Sequence, residues 1–88
     1  MSSQKLYPNL PLKERVLTLL KSQEAYGGPQ SINDLCNNLQ ITNGSSRSVV
    51  IKLLKLGKIE RIGHGIYRNK GDTRKYQKNK SYFNGKQI

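Results

Sequence analysis

Few residues in this chain could do covalent or metal chemistry. His64 is its single histidine and Cys36 its single cysteine. A catalytic triad needs a base, an orienting group and a nucleophile within hydrogen-bond reach of one another. His64 stands between Gly63 and Gly65, in a turn that offers nothing to orient or desolvate an imidazole. A metal nuclease needs several carboxylates converging on one ion. Glu14, Glu24, Asp34, Glu60 and Asp72 are instead scattered over separate segments. Cys36 falls within an apolar stripe and reads as a small core residue, with only His64 available as a second soft ligand. Gly63-His64-Gly65 opens no helix with Lys-Ser or Lys-Thr, so it is no phosphate-binding loop. The expectation is a protein that is not an enzyme, with no metal, no cofactor and no small-molecule substrate.

The cations carry a stronger signal. Sixteen Lys and Arg against five Asp and Glu give a net charge of +11. Residues 1–40 hold four Lys/Arg against three Asp/Glu; residues 41–88 hold twelve against two. A merely soluble basic protein has no reason for that asymmetry. It is the electrostatic footprint of a polyanion binder.

The elements that must position these charges follow from periodicity. Eighty-eight residues allow one small domain. The longest apolar run is Val49-Val50-Ile51, so no membrane span is expected. Met1 to Lys5 lead into no apolar stretch of secretory length, and a lone cysteine forbids an internal disulfide. A cytoplasmic protein is the natural reading.

Residues 1–10 read as a flexible arm, 11–69 as the folded domain and 70–88 as a basic, largely disordered tail. Pro11 suits the first turn of a helix, and Leu12, Val16, Leu19 and Leu20 make one stripe, giving a first helix over Leu12 to Gln23. Tyr26-Gly27-Gly28-Pro29 ends it. Ser31 with Asp34 forms a capping box for a second helix over Ile32 to Leu39. Gln40 to Gly44 reads as a turn that Ile41 plugs into the core. Asn43 or Ser45 caps a third helix over about 44–56, with Val49, Val50, Leu53 and Leu56 inward. Gly57 suits the left-handed position after a helix. Two short strands around Gly63-His64-Gly65 then form a hairpin, and a further short strand near Gln30 would make the sheet three-stranded. Ile59 and Ile62 break the strand alternation, which calls for either a bulge or an early strand end. The fold class is α+β.

A short helix, a turn and a longer helix with a polar, basic outer face is the logic of major-groove reading. The groove admits one helix and presents a distinct donor and acceptor pattern for each base pair. Asn43, Ser45, Ser46, Arg47 and Ser48 place small polar groups and one cation at the start of the third helix, and Lys52 and Lys55 add cations further along. Ile51, on the same face, suits a thymine methyl. Arg61, His64 and Arg68 on the hairpin suit flanking phosphates or the minor groove. In the tail, Arg74, Lys75, Lys78 and Lys80 interleave with Tyr76, Tyr82 and Phe83. Such a segment can grip phosphates and stack on bases, pair two subunits through Tyr76 and Phe83, or serve as a solvated linker.

The order helix, helix, turn, helix, Gly, hairpin resembles a winged helix-turn-helix domain over about residues 11–69. Leu53, Gly57, Ile59, Glu60, Arg61, Gly65 and Tyr67 carry the resemblance: a leucine, a helix-ending glycine, an Ile-Glu-Arg strand and a Gly-x-Tyr wing. Members of that family are mostly sequence-specific transcriptional regulators, and some bind RNA or only protein. The resemblance implies double-stranded DNA as partner, association with the nucleoid, and homodimers on palindromic sites where two copies act together. Other readings are an architectural DNA binder, or a basic adaptor that binds structured RNA or a protein in a ribonucleoprotein.

Overall fold

The structure is a computed structural model that describes residues 6–78. Three helices, α1 (Leu12–Lys21), α2 (Ile32–Leu39) and α3 (Asn43–Lys55), pack with a three-stranded antiparallel sheet. The strands are β1 (Gln30–Ser31), β2 (Ile59–Gly63) and β3 (Ile66–Asn69), in spatial order β1-β3-β2. The chain is a small α+β protein, as the periodicity predicts. Among the described residues, no helix is long and apolar enough to cross a membrane.

Local chemistry accounts for most element ends. The hydroxyl of Ser31 accepts from Asp34 N–H at 3.1 Å, and the Asp34 carboxylate accepts from Ser31 N–H at 3.0 Å. That reciprocal pair starts α2 as expected. α3 starts differently. Its cap is Thr42, whose Oγ1 accepts from Ser45 N–H at 3.1 Å, so neither Asn43 nor Ser45 caps it. The turn between α2 and α3 is made by Gln40, at φ 57° and ψ 51°, and not by Asn43-Gly44, which lie within the first turn of α3. α1 stops at Lys21, two residues early, and Gly27 folds back onto that end. A Cβ at Gly27 would lie 2.5 Å from Ser22 Cβ and from the Ser22 carbonyl oxygen, so only glycine fits.

The hairpin resolves the irregular spacing of Ile59 and Ile62. Arg61 pairs with Tyr67 and Gly63 with Ile66, so Ile62 is an extra residue in a β-bulge. Gly65 turns the chain at φ 69°. On the other side of β3, Gln30 pairs with Tyr67 and Ser31 with Ile66. β1 therefore ties the hairpin to the start of α2.

The core joins Val16, Leu17, Leu19 and Leu20 of α1, Leu35 and Leu39 of α2, Val49, Val50 and Leu53 of α3, and Ile59 of β2. Leu6 belongs to it as well. Arg15 donates to the Leu6 carbonyl at 3.0 Å and to the Leu39 carbonyl at 2.6 Å. The N-terminal segment from Leu6 on is thus held against the domain, where the sequence reading expects a free arm. Ile41 and Leu54 pack at the core margin. Leu56 does not: it is 56% exposed. α3 ends before the rotation that would turn Leu56 inward, and Gly57 at φ 74° redirects the chain into β2.

The core also contains a polar pair that periodicity does not reveal. Gln30 and Asn38 are both fully buried. Asn38 Nδ2 donates to Gln30 Oε1 at 2.9 Å, and Gln30 Nε2 donates to the carbonyls of Tyr26 at 2.7 Å and Gly28 at 3.2 Å. No buried side-chain polar atom among the described residues lacks a partner.

Residues 70–78, expected as part of a loose tail, form an ordered strap. Arg74 donates to the Ser22 carbonyl at 2.7 Å and to the Leu20 carbonyl at 3.0 Å, at the end of α1. Tyr76 Oη donates to Asp34 Oδ2 at 2.8 Å, at the start of α2. An arginine at a helix C-terminus satisfies carbonyls that have no partner within the helix and meets the negative end of its dipole.

Two substitutions test this packing. Leu53 is fully buried, and Leu53→Ala is expected to remove ~2–5 kcal/mol of stability; chemical denaturation measures it. Gly57 has free space around it, so Gly57→Val is strained by backbone conformation alone. The expected cost is about 1–2 kcal/mol, read as a lower thermal midpoint, and an unchanged midpoint would mean that the helix ends elsewhere.

Candidate nucleic-acid interface

The outer face of α3 is set by its amphipathic rotation. With Val49, Val50 and Leu53 turned inward, Asn43, Arg47, Ser48, Ile51, Lys52 and Lys55 are exposed. Asn43 Oδ1 accepts from Arg47 Nε at 3.1 Å, which orients the guanidinium along the first turns of the helix. Ile51 is 53% exposed, an isolated apolar side chain among cations. Ser45 is half-buried, and its Oγ accepts from the Thr42 hydroxyl at 3.0 Å. Ser46 departs from the sequence reading. It is fully buried, with Oγ 3.2 Å from Cys36 Sγ, and helical geometry points it at α2. It is not part of the exposed face of α3.

The hairpin lies across from this face. Arg61 is exposed, with Nε donating to the Gly63 carbonyl at 3.1 Å, and His64 stands exposed at the tip. Between α3, the hairpin and the start of α2 lies an open cleft of about 520 Å³. Arg47 lines it from α3, Arg61 and His64 from the hairpin, Ser31 from the end of β1 and Asn33 from α2. Val50, Ile51 and Tyr67 give it an apolar floor, and no carboxylate among the described residues lines it. A second, smaller groove of about 300 Å³ flanks the other side of α3. Lys13 of α1 and Lys52 of α3 lie along it with Gly44, Ser45 and Ser48, again without a carboxylate among the described residues. The exposed ridge of α3 thus runs between two cation-lined depressions.

Arg68 and Arg74 do not join these cations. Arg68 Nε lies 2.8 Å from Glu60 Oε2, and its Nη1 donates to the Arg74 carbonyl at 3.0 Å. Arg74 is bound to Asp72 and to the end of α1. Both serve the fold. Lys75 and Lys78 are exposed on the strap, and Lys80 lies outside the described residues.

Sequence reasoning missed Lys13, Asn33 and Tyr67. Lys13 is two residues from Pro11 and lies off the α1 stripe, but only the packing of α1 on α3 brings it beside Lys52. Asn33 and Tyr67 reach the cleft because β1 fastens β3 to α2, and a two-residue strand has almost no periodicity to read.

No family model, curated protein or solved structure matches the chain.

Two groups have shifted protonation. Burial raises the Tyr76 phenol above its ordinary value; Ser31 opposes this and the neighbouring Asp34 adds to it. For Asp72, burial acts upward, but hydrogen bonds from Arg74 and the charge of its guanidinium outweigh it and hold the carboxyl below its usual range. A carboxyl lowered in the folded state contributes stability above its unfolded value, near pH ~4, and that contribution disappears as pH falls through the folded value. Asp72→Asn is therefore expected to lower the thermal midpoint at neutral pH. The gap to the unsubstituted chain should narrow as pH falls below about 4. A gap that stays constant with pH would mean that the Asp72 charge does not hold the strap.

Proposed function

We propose that this protein is a winged helix-turn-helix DNA-binding domain that acts as a small sequence-specific transcriptional regulator in the cytoplasm. The observation that carries the reading is the face of α3: a protruding ridge of Arg47, Ser48, Ile51, Lys52 and Lys55 flanked on both sides by depressions free of carboxylate among the described residues.

Such a ridge has the width of one helix, which the major groove of duplex DNA accepts. Ser48, Lys52 and Lys55 supply hydrogen-bond groups to base edges, and Ile51 an apolar surface for a thymine methyl. The depressions beside the ridge suit the two phosphate backbones that border a major groove. Arg47, Arg61 and His64 face one of them and Lys13 the other. Phosphate contacts fix register and give salt-sensitive affinity through counterion release, while base contacts give selectivity. A homodimer belongs to the same proposal, because two copies reading one site would select palindromic sequences.

Titration with duplex DNA and with structured RNA at matched salt tests the class of partner. Tighter binding to duplex supports the reading, and a preference for RNA overturns it in favour of the adaptor alternative. Selection from random duplex DNA then supplies the preferred site. Replacing Ser48, Lys52 and Lys55 together by Ala is expected to cut discrimination between that site and random duplex by roughly 1–3 kcal/mol for each base edge that is no longer read. The fold should persist, since all three side chains are exposed. Undiminished discrimination by the triple variant would place sequence reading away from α3.

A further inference from the structure

The strap offers a second basic surface. Its inward positions are anchored over long sequence separations, Arg74 to the end of α1 and Tyr76 to Asp34 at the start of α2. The oxygen that Tyr76 holds, Asp34 Oδ2, is the one that accepts Ser31 N–H at 3.0 Å, and Ser31 lines the cleft between α3 and the hairpin. The strap therefore arrives at the α2 edge of that cleft. Lys75 lies between the two anchors and Lys78 two residues beyond Tyr76; both are exposed, and no salt bridge among the described residues engages either one.

We infer that Lys75 and Lys78 form a further contact for the phosphodiester backbone of duplex DNA, beside the start of α2, with Tyr76 as the residue that positions them. The inference rests on the DNA-binding reading and extends its footprint to an element that is not part of the helix ridge or the hairpin. Three features argue for it. A free tail of lysines would gain phosphate contacts only by losing conformational entropy on binding, whereas a strap pinned at Arg74 and Tyr76 has been ordered by folding. The two cations project from a segment whose inward groups are already hydrogen-bonded, so their ammonium groups are free to meet an anion. The Asp34 carboxylate at that edge accepts from Tyr76 Oη and Ser31 N–H within the α2 cap, which reduces the negative field that a phosphate would meet.

The test is the salt dependence of binding of the full chain to a short random-sequence duplex, with thermal midpoints measured alongside. Lys75→Ala with Lys78→Ala is expected to make the slope of log affinity against log salt shallower by up to ~1.8, about 0.9 for each phosphate engaged. Tyr76→Phe keeps both cations and loses only the hydroxyl. It is expected to flatten the slope as well, which a purely structural role for the hydroxyl would not do in a variant that remains folded. Arg47→Ala with Lys52→Ala reports on the α3 interface independently. If that pair flattens the slope while the Lys75/Lys78 pair does not, the strap contact is wrong and the DNA-binding reading stands. If the Lys75/Lys78 pair flattens it and Tyr76→Phe does not, the positioning role is wrong. If the Arg47/Lys52 pair leaves the slope unchanged, it is the α3 reading that fails.

Discussion

The buried Gln30–Asn38 pair is the constraint on which the arrangement of this domain depends. Two fully buried amides in so small a core are tolerable only because their hydrogen-bonding groups find partners. That requirement fixes geometry. Gln30 must face Asn38 on α2 while its other amide group meets the carbonyls of Tyr26 and Gly28, so β1 can occupy only one register against α2. The same residue pairs through its backbone with Tyr67 of β3. The pair thus adds a polar tie between the hairpin and α2 to the apolar packing of Ile59 and Tyr67 against the helices. An apolar pair at these positions would fill the space and leave β1 free to slide; the amides make a slip costly, because each orphaned group would cost about 1–3 kcal/mol.

The arginines divide by the same logic. Arg15, Arg68 and Arg74 each donate to backbone carbonyls across the fold: Arg15 joins Leu6 to Leu39, Arg68 joins the hairpin to the strap, and Arg74 joins the strap to α1. A guanidinium has five donors in a rigid fork and serves such bridges better than an ammonium. The lysines among the described residues hold no such post. Net charge by itself does not distinguish these two populations. Only the geometry separates Arg68 and Arg74, which stabilise the fold, from Arg47 and Arg61, which face open solvent beside the cleft.

The features legible in the sequence are those that depend on near neighbours. The capping box of Ser31 and Asp34, the stripes of α1 and α2, Gly57 after α3, and a strand irregularity at Ile59 and Ile62 all follow from spacings of a few residues. The exposed face of α3 is readable for the same reason, since 3.6-residue periodicity sorts Arg47, Ser48, Ile51, Lys52 and Lys55 from Val49, Val50 and Leu53. The errors arise where a distant element intervenes. Ser46 sits one position from the exposed face, and the approach of Cys36 on α2 decides that it is buried. Leu56 fits the stripe, but the chain turns away at Gly57 before it can be covered. Arg74 and Tyr76 resemble a soluble basic tail in composition, and their partners, Leu20, Ser22 and Asp34, lie too far back in the chain for any local pattern to mark.

The exposed cations have an energetic meaning of their own. Arg47, Lys52 and Lys55 share one helix face, and Arg47 meets Arg61 and His64 across a cleft that has no carboxylate among the described residues. Lys52 and Lys55, like charges one helical turn apart, destabilise the helix by a few tenths of a kcal/mol, and no ion pair among the described residues relieves that repulsion. Elsewhere the same chain does neutralise charge where stability calls for it, as Glu60 does for Arg68 and Asp72 for Arg74. None of the five Asp and Glu lies on α3 or lines the depressions beside it, although Glu in place of Lys52 or Ser48 would favour the isolated fold. The DNA partner proposed above would supply the negative charge that this surface lacks in the free protein. In that proposal the cations on either side of the single protruding helix would meet the paired phosphate backbones of a duplex.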